Sequence, residues 1–165
     1  MRTRRGWVAL VATVTAVGVV GLRGKLRRYE IVERSMEPNL HQGDYVVAQA
    51  RGIGLARGDV VIVPHPGVGD FILIKRVVGL PGETITLRDG MVHVDGAALA
   101  EPWANGPVHP DGEWQLGETQ VFVLGDNRSA SAADSRTIGP VRAATIEWKV
   151  VARYWPLNNM GRLSS

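Results

Sequence analysis

The 165-residue chain contains no cysteine, which excludes disulfides, thiolate nucleophiles and cysteine-based zinc sites. Lysine is almost missing as well. It occurs only at Lys25, Lys75 and Lys149, against sixteen arginines. The four histidines (His41, His65, His93, His109) include no pair with the i,i+4 spacing of a zinc-protease helix. Each lies beside proline or turn residues, or on a hairpin, where surface imidazoles are common, so no metal or other cofactor is expected. There are no repeats or low-complexity tracts, and no basic-aromatic nucleic-acid motif.

Acidic residues are absent from positions 1–28, which hold seven basic ones: Arg2, Arg4, Arg5, Arg23, Lys25, Arg27 and Arg28. Removing those seven from the chain's 19 leaves 12 basic against 16 acidic residues, a net charge of −4 for the remainder. The basic pI of about 9.7 therefore belongs to the N-terminal segment, not to a nucleic-acid face, and no nucleic-acid partner is expected. Between the basic clusters runs Trp7 to Leu22, sixteen residues without a charge. At ~1.5 Å per residue a helix there spans roughly 24 Å, slightly short of a ~30 Å hydrocarbon layer. Snorkelling of Arg5 and Arg23 closes the difference. The segment Val19-Val20-Gly21-Leu22-Arg23 lacks a small-x-small cleavage site, so a retained anchor in a lipid bilayer is expected, not a cleaved leader. Because both flanks are basic, charge alone does not orient it.

Beyond the anchor the chain reads as short strands bounded by Gly, Pro or Asp. These are Tyr45 to Ala48, Val60 to Val63, Phe71 to Val78, Gln120 to Leu124 and Ile146 to Ala152. Residues 84–88 and 91–95 alternate around Asp89-Gly90, a hairpin signal because both turn positions tolerate positive φ. Residues 100–118, rich in Pro, Gly and Trp, read as a loop or small flap. The expected organisation is a cytoplasmic start, anchor and basic flank (1–28), a β-rich domain (29–156) and a C-terminal tail (157–165), working as a monomer.

Three features carry chemistry. Lys75 stands inside an apolar strand, with Phe71, Leu73 and Val77 on its own face and Ile72, Ile74 and Val78 on the other. Lysines at strand ends ordinarily reach solvent. In a chain that otherwise uses arginine, however, a lysine here suggests a need for an amine that can lose its proton, which arginine cannot do. Ser35 opens the segment Ser35-Met36-Glu37-Pro38-Asn39-Leu40, where Pro38 and Gly43-Asp44 predict a turn. Taken alone it reads equally as an exposed nucleophile or as a turn cap. The third is Gly125-Asp126-Asn127-Arg128, followed by Asp134-Ser135-Arg136 and Gly139-Pro140-Val141. It is either a polar surface loop or a partly buried Asp/Arg network that holds an amine in place.

Together, Ser-Met-x-Pro-x-Leu, the Lys75 to Glu83 run Lys-Arg-Val-Val-Gly-Leu-Pro-Gly-Glu, and the Gly-Asp-Asn-Arg…Asp-Ser-Arg…Gly-Pro-Val block resemble type I signal peptidases and their mitochondrial inner-membrane cousins. The resemblance covers residues 29–156 in order. It implies a mainly β fold of coiled antiparallel sheets on one N-terminal transmembrane helix, with the catalytic domain on the exported side of the cell membrane. It also implies removal of signal peptides from exported preproteins by Ser35 as nucleophile and Lys75 as general base, with the Ser35 amide in the oxyanion hole. Asp134 and Arg136 match the family's structural ion pair, with Asp126 and Arg128 as supporting positions. Tyr29, Ile31, Met36, Leu40 and Ile74 fall where substrate pockets are lined.

The chain departs from the family pattern in three places. Asn39 replaces a threonine. Glu33 stands where some members place an oxyanion-hole hydroxyl, and a carboxylate there repels an oxyanion. The block between Arg128 and Asp134 is one residue longer, which puts Ala132 at the family's serine position and leaves Ser131 or Ser129 to hydrogen-bond the lysine, Ser131 being preferred. Two other readings compete. A catalytically lapsed, membrane-tethered β module would bind exported chains without cutting them. A self-cleaving repressor-type Ser-Lys protease would need a DNA-binding helical domain.

Overall fold

The computed structural model describes residues 25–50, 52, 54–67, 69 and 71–163. The expected anchor, Trp7 to Leu22, lies outside them, and no described helix is long and apolar enough to cross a membrane.

The described chain forms strands β1 (Leu26–Glu30), β2 (Tyr45–Ala50), β3 (Val60–Pro64), β4 (Ile72–Gly79), β5 (Thr84–Arg88) and β6 (Met91–Val94). They continue as β7 (Ala97–Ala98), β8 (Gly112–Gln115), β9 (Gln120–Leu124), β10 (Val141–Arg142), β11 (Trp148–Trp155) and β12 (Gly161–Arg162). One short helix, α1 (Ser135–Ile138), is capped by the Asp134 side chain, which accepts from the Arg136 N–H. The larger sheet has the order β1-β2-β11-β3-β4-β9-β10, with β12 added on β11; the smaller is β7-β6-β5-β8. Every strand pair is antiparallel, so the family fold expectation of antiparallel sheets holds for the described residues.

Three apolar clusters hold the sheets together. Ile31, Met36, Leu40, Val46, Val60 and Val150 fill the first, under the connection between β1 and β2. Val61, Val63, Leu73, Val77, Val123 and Ile146 fill another, around β3, β4 and β9. The far ends of β4 and β9 (Val78, Phe122, Leu124) pack on Ile85, Leu87 and Val92, joining the small sheet to the large one. Strand β3 is buried at four successive residues because neighbours cover both of its faces, whereas β5 alternates buried Ile85 and Leu87 with half-buried threonines. The Asp89-Gly90 turn has φ of 55° and 76°, and Arg88 pairs with Met91 across it, as the sequence predicts.

Several expectations need correcting. Strand β1 crosses the proposed boundary at residue 28, so Arg27 and Arg28 belong to the sheet and stack over Trp148 and Tyr154. Their charge masked the strand, because edge strands carry cations where a two-residue alternation would otherwise appear. Strand β8 lies inside the region read as a loop or small flap and pairs with β5. Strand β11 begins two residues later than expected and continues to Trp155. Residues 157–163 are not a free tail among the described residues: β12 folds back so that Arg162 pairs with Ala152, and Leu163 packs on the first core. His93 is buried in the small sheet, not at the surface.

Candidate active site

Residues 31–44, between β1 and β2, form a closed loop. Its ends are tied by Ile31 N–H to Asp44 O (2.8 Å) and Gly43 N–H to Ile31 O (2.8 Å). Met36 and Leu40 anchor the inside of the loop in the core, and Leu40 N–H donates to Met36 O at 2.9 Å. Arg153 of β11 braces it from outside, donating to Asp44 Oδ2 (2.7 Å) and Asn39 O (3.0 Å). Ser35 rides on this braced turn and is 4% exposed.

Lys75 approaches from β4. Leu73, Arg76 and Val77 around it are buried and it is itself 1% exposed, so its charged form loses hydration. Its Nζ donates to Ser35 Oγ at 2.7 Å. Burial holds the Lys75 pKa below its ordinary value. The negative charges of Glu33, Asp134 and Asp126 act the other way, in that order, and Arg136 reinforces the lowering. The serine and the lysine that stand out in the sequence are thus in direct hydrogen-bond contact.

The next residue, Arg76, points to the other side of the strand and forms a two-pronged ion pair with Asp126 (Nε–Oδ1 2.8 Å, Nη2–Oδ2 2.7 Å), both residues being fully buried. Asn39 donates its amide to Asp126 Oδ2 at 2.9 Å and to Trp103 O at 2.8 Å, tying the serine loop to this pair. Asn127 N–H donates to Ser35 O at 3.0 Å. Asp126 and Arg128, close in sequence, do not pair with each other: Arg128 binds Glu101 and the Gly125 carbonyl. Arg76 and Glu101 were missed. The available signal was a second charged residue in the same buried run as Lys75, since a buried guanidinium requires a carboxylate partner.

Asp134 is fully buried. It receives Arg136 Nε (2.9 Å) and Nη2 (2.8 Å), Ser131 Oγ (2.6 Å) and Gly125 N–H (3.3 Å). Burial pushes its carboxyl up, but the bonds from Arg136 and Ser131 and the Arg136 charge outweigh it and hold the pKa below the usual range. Arg136 also reaches the carbonyls of Arg128 (2.9 Å), Ser131 (2.7 Å) and His109 (2.7 Å), so one guanidinium fastens the whole extended block. Ser131 corrects the expectation that it bonds the lysine: its hydroxyl is spent on Asp134, and among the described residues it makes no hydrogen bond to Lys75. Gly125, too, has a role the sequence did not single out. A Cβ there would lie 2.4 Å from Ser131 Cβ and 2.7 Å from the Ser35 carbonyl, so a larger residue would push the serine loop off this network.

A groove of about 80 Å³ opens beside Ser35, between the end of β1 and the start of β4. Tyr29, Ile31, Met36 and Ile74, four of the residues that the resemblance assigns to substrate pockets, line it. Leu40 does not: it is 0% exposed and belongs to the core, because the turn carries it inward behind Met36. Val32, Phe71 and Ile72 add exposed apolar surface at its rim, beside Glu30 and Glu33. Strand β4 pairs with β9 only from Arg76 onward, so the stretch from Ile72 to Lys75 is laddered on its β3 side alone. Among the described residues no hydrogen bond uses the Ser35 N–H as donor. The site thus combines a serine hydroxyl, a buried amine, a free backbone N–H and an unpaired strand edge beside an apolar groove.

The family model described as signal peptidase, peptidase S26, matches residues 4–155. Signal peptidase I of Leptolyngbya laminosa is 31% identical over 167 residues, covering 93% of this chain and 79% of that protein. Signal peptidase IB of Staphylococcus aureus is 29% identical over 174 residues, covering 92% and 90% respectively. The crystal structure of a signal peptidase I from Enterococcus faecalis superposes with a TM-score of 0.52 at 31% identity, covering 59% of this chain and 97% of that one.

Proposed function

Since the chain belongs to the peptidase S26 family of signal peptidases and is a serine peptidase, we propose that it cuts signal peptides from exported preproteins with a Ser35–Lys75 dyad, tethered to a membrane by Trp7 to Leu22. The observation that carries this reading is the 2.7 Å contact from a fully buried lysine amine to the Ser35 hydroxyl. A neutral Lys75 accepts the proton of Ser35 Oγ as the oxygen attacks the scissile carbonyl. The Ser35 N–H faces the developing oxyanion. Collapse of the tetrahedral intermediate breaks the peptide bond, and the leaving amine takes the proton from Lys75. Water then attacks the acyl-enzyme, giving its proton to Lys75, and the carboxylic acid product departs as Ser35 recovers its hydrogen. Asp126, Arg128, Ser131, Asp134 and Arg136 position the two reacting groups without touching the substrate. A catalytically lapsed module has no need of a desolvated amine on a serine, which favours the enzyme.

The substrate lies extended along the free edge of β4, adding a strand, so alternate side chains face the groove. Bulky lining residues leave space only for small side chains one and three positions before the cut. Purified full-length protein in detergent is therefore expected to process a preprotein with alanine at both positions. Leucine or phenylalanine at either should lower kcat/KM by about 5- to 150-fold, as overfilling a packed pocket costs ~1–3 kcal/mol. Equal processing of all these preproteins would refute the groove assignment.

We propose an amino terminus in the cytoplasm and a β domain outside, the arrangement that the family resemblance supports. Protease added to intact, wall-stripped cells should digest residues 29–165. Full protection until lysis would place the β domain in the cytoplasm and rule out exported preproteins as substrates.

A further inference from the structure

The groove beside Ser35 is apolar except at one rim. Among the described residues, the charged side chains that line it are Glu30 and Glu33, both acidic, and no lysine or arginine lines it with them. Glu30 is engaged, because it lies across from Tyr45 in the β1–β2 register and acts on that phenol by charge and by hydrogen bond. Glu33 is exposed, and among the described residues its side chain has no hydrogen bond or ion pair. The adjacent Arg34 cannot neutralise it, since its guanidinium is held by Glu37 at 3.2 Å. Glu33 is also the strongest charge acting to raise the Lys75 pKa, which places it within electrostatic reach of the reacting atoms. An uncompensated carboxylate beside low-dielectric walls concentrates a negative field at the mouth of the groove.

Resting on the proposed function, we propose that Glu33 is a specificity-determining residue that selects peptides carrying a lysine or arginine close to the scissile bond and rejects aspartate or glutamate there. A basic side chain meets the carboxylate as the peptide enters. It also offsets the repulsion between Glu33 and the oxyanion that forms on the scissile carbonyl. The preference therefore appears in kcat as well as in KM. Small apolar pockets read two positions of the substrate, and Glu33 adds a charge requirement at a third.

The test uses full-length protein in detergent and a peptide set with Lys, Gln or Glu placed in turn two before the cut and one, two and three after it. At one of these positions wild type should favour Lys over Gln by about two- to fivefold in kcat/KM at low salt, the range of an exposed ion pair. Raising the salt to 1 M should shrink the ratio. Glu33→Gln should remove the ratio, and Glu33→Lys should invert it towards Glu. The same peptides are titrated against Ser35→Ala protein, with and without the Glu33 changes, by fluorescence anisotropy, which reads the preference without turnover. A Lys:Gln ratio that Glu33→Gln leaves unchanged at every position overturns the role of Glu33 and leaves the peptidase reading intact. Charge-selective binding that depends on Glu33, without cleavage by wild type, supports the role and rejects the peptidase reading. Neither cleavage nor charge-selective binding rejects both.

Discussion

Lys75→Arg is expected to abolish preprotein cleavage, with kcat/KM falling on the order of 10³-fold or more, although charge and length are nearly conserved. Arginine stays protonated in a protein and cannot accept the Ser35 proton. Ser35→Ala should be equally inactive, and the double variant no worse than either single one, because the two groups act as a unit. Wild-type rates from Lys75→Arg would exclude lysine as the base. The pH profile offers a second reading of the same chemistry. Activity requires neutral Lys75, so kcat/KM should fall as pH drops through the Lys75 pKa, which burial holds below the ordinary lysine value. Glu33 opposes that lowering, so Glu33→Gln should move the acid limb to lower pH. A limb that stays in place or moves up would show that Glu33 does not act on the base.

The second large effect concerns stability. Asp126→Ala leaves Arg76 fully buried without its two-pronged partner and removes an acceptor from Asn39. Orphaning one member of a buried pair costs ~3–5 kcal/mol, a fall in Tm of roughly 6–20 °C for a domain of this size. Arg34→Ala breaks a pair whose arginine is 70% exposed and should change Tm by no more than about 2–4 °C. Arg76→Met combined with Asp126→Leu should recover part of the loss, since removing both charges together leaves no buried ion whose opposite charge has been taken away. Melting of Asp126→Ala within about 2 °C of wild type would mean that this pair does not hold the serine loop in place.

The candidate chemistry was legible in the sequence because it depends on rare residue types in rare surroundings. A lysine in an arginine-rich chain, set among apolar strand residues, has few ordinary explanations, and Asp-Gly specifies its hairpin through local φ alone. Strands with strong β-branched runs were legible for the same reason: β3 and the second half of β4 are central, and their composition follows from burial on both faces. Strand β1 was not, because its Arg27 and Arg28 are stabilised by aromatic rings on β11, more than a hundred residues away. Local pattern carries no information about such a contact.

Partner choice was likewise decided only in three dimensions. Sequence offers Arg128 as a guanidinium near Asp126, but the fold instead brings Arg76 under Asp126 and Glu101 to Arg128. Leu40 and Ile74 are equally apolar in sequence, yet the turn encloses Leu40 in the core while Ile74 stays half-buried at the groove. Ser131 had the right chemistry to touch a lysine, and a 2.6 Å bond to Asp134 took its hydroxyl elsewhere. Residue types and their order along the chain were enough to indicate a serine, an amine and an acid–arginine network, because these follow from each residue's own pKa and hydrogen-bonding capacity. Which donor meets which acceptor, and which apolar side chain faces the substrate, depends on long-range packing, and that exists only once the sheets have closed around the site.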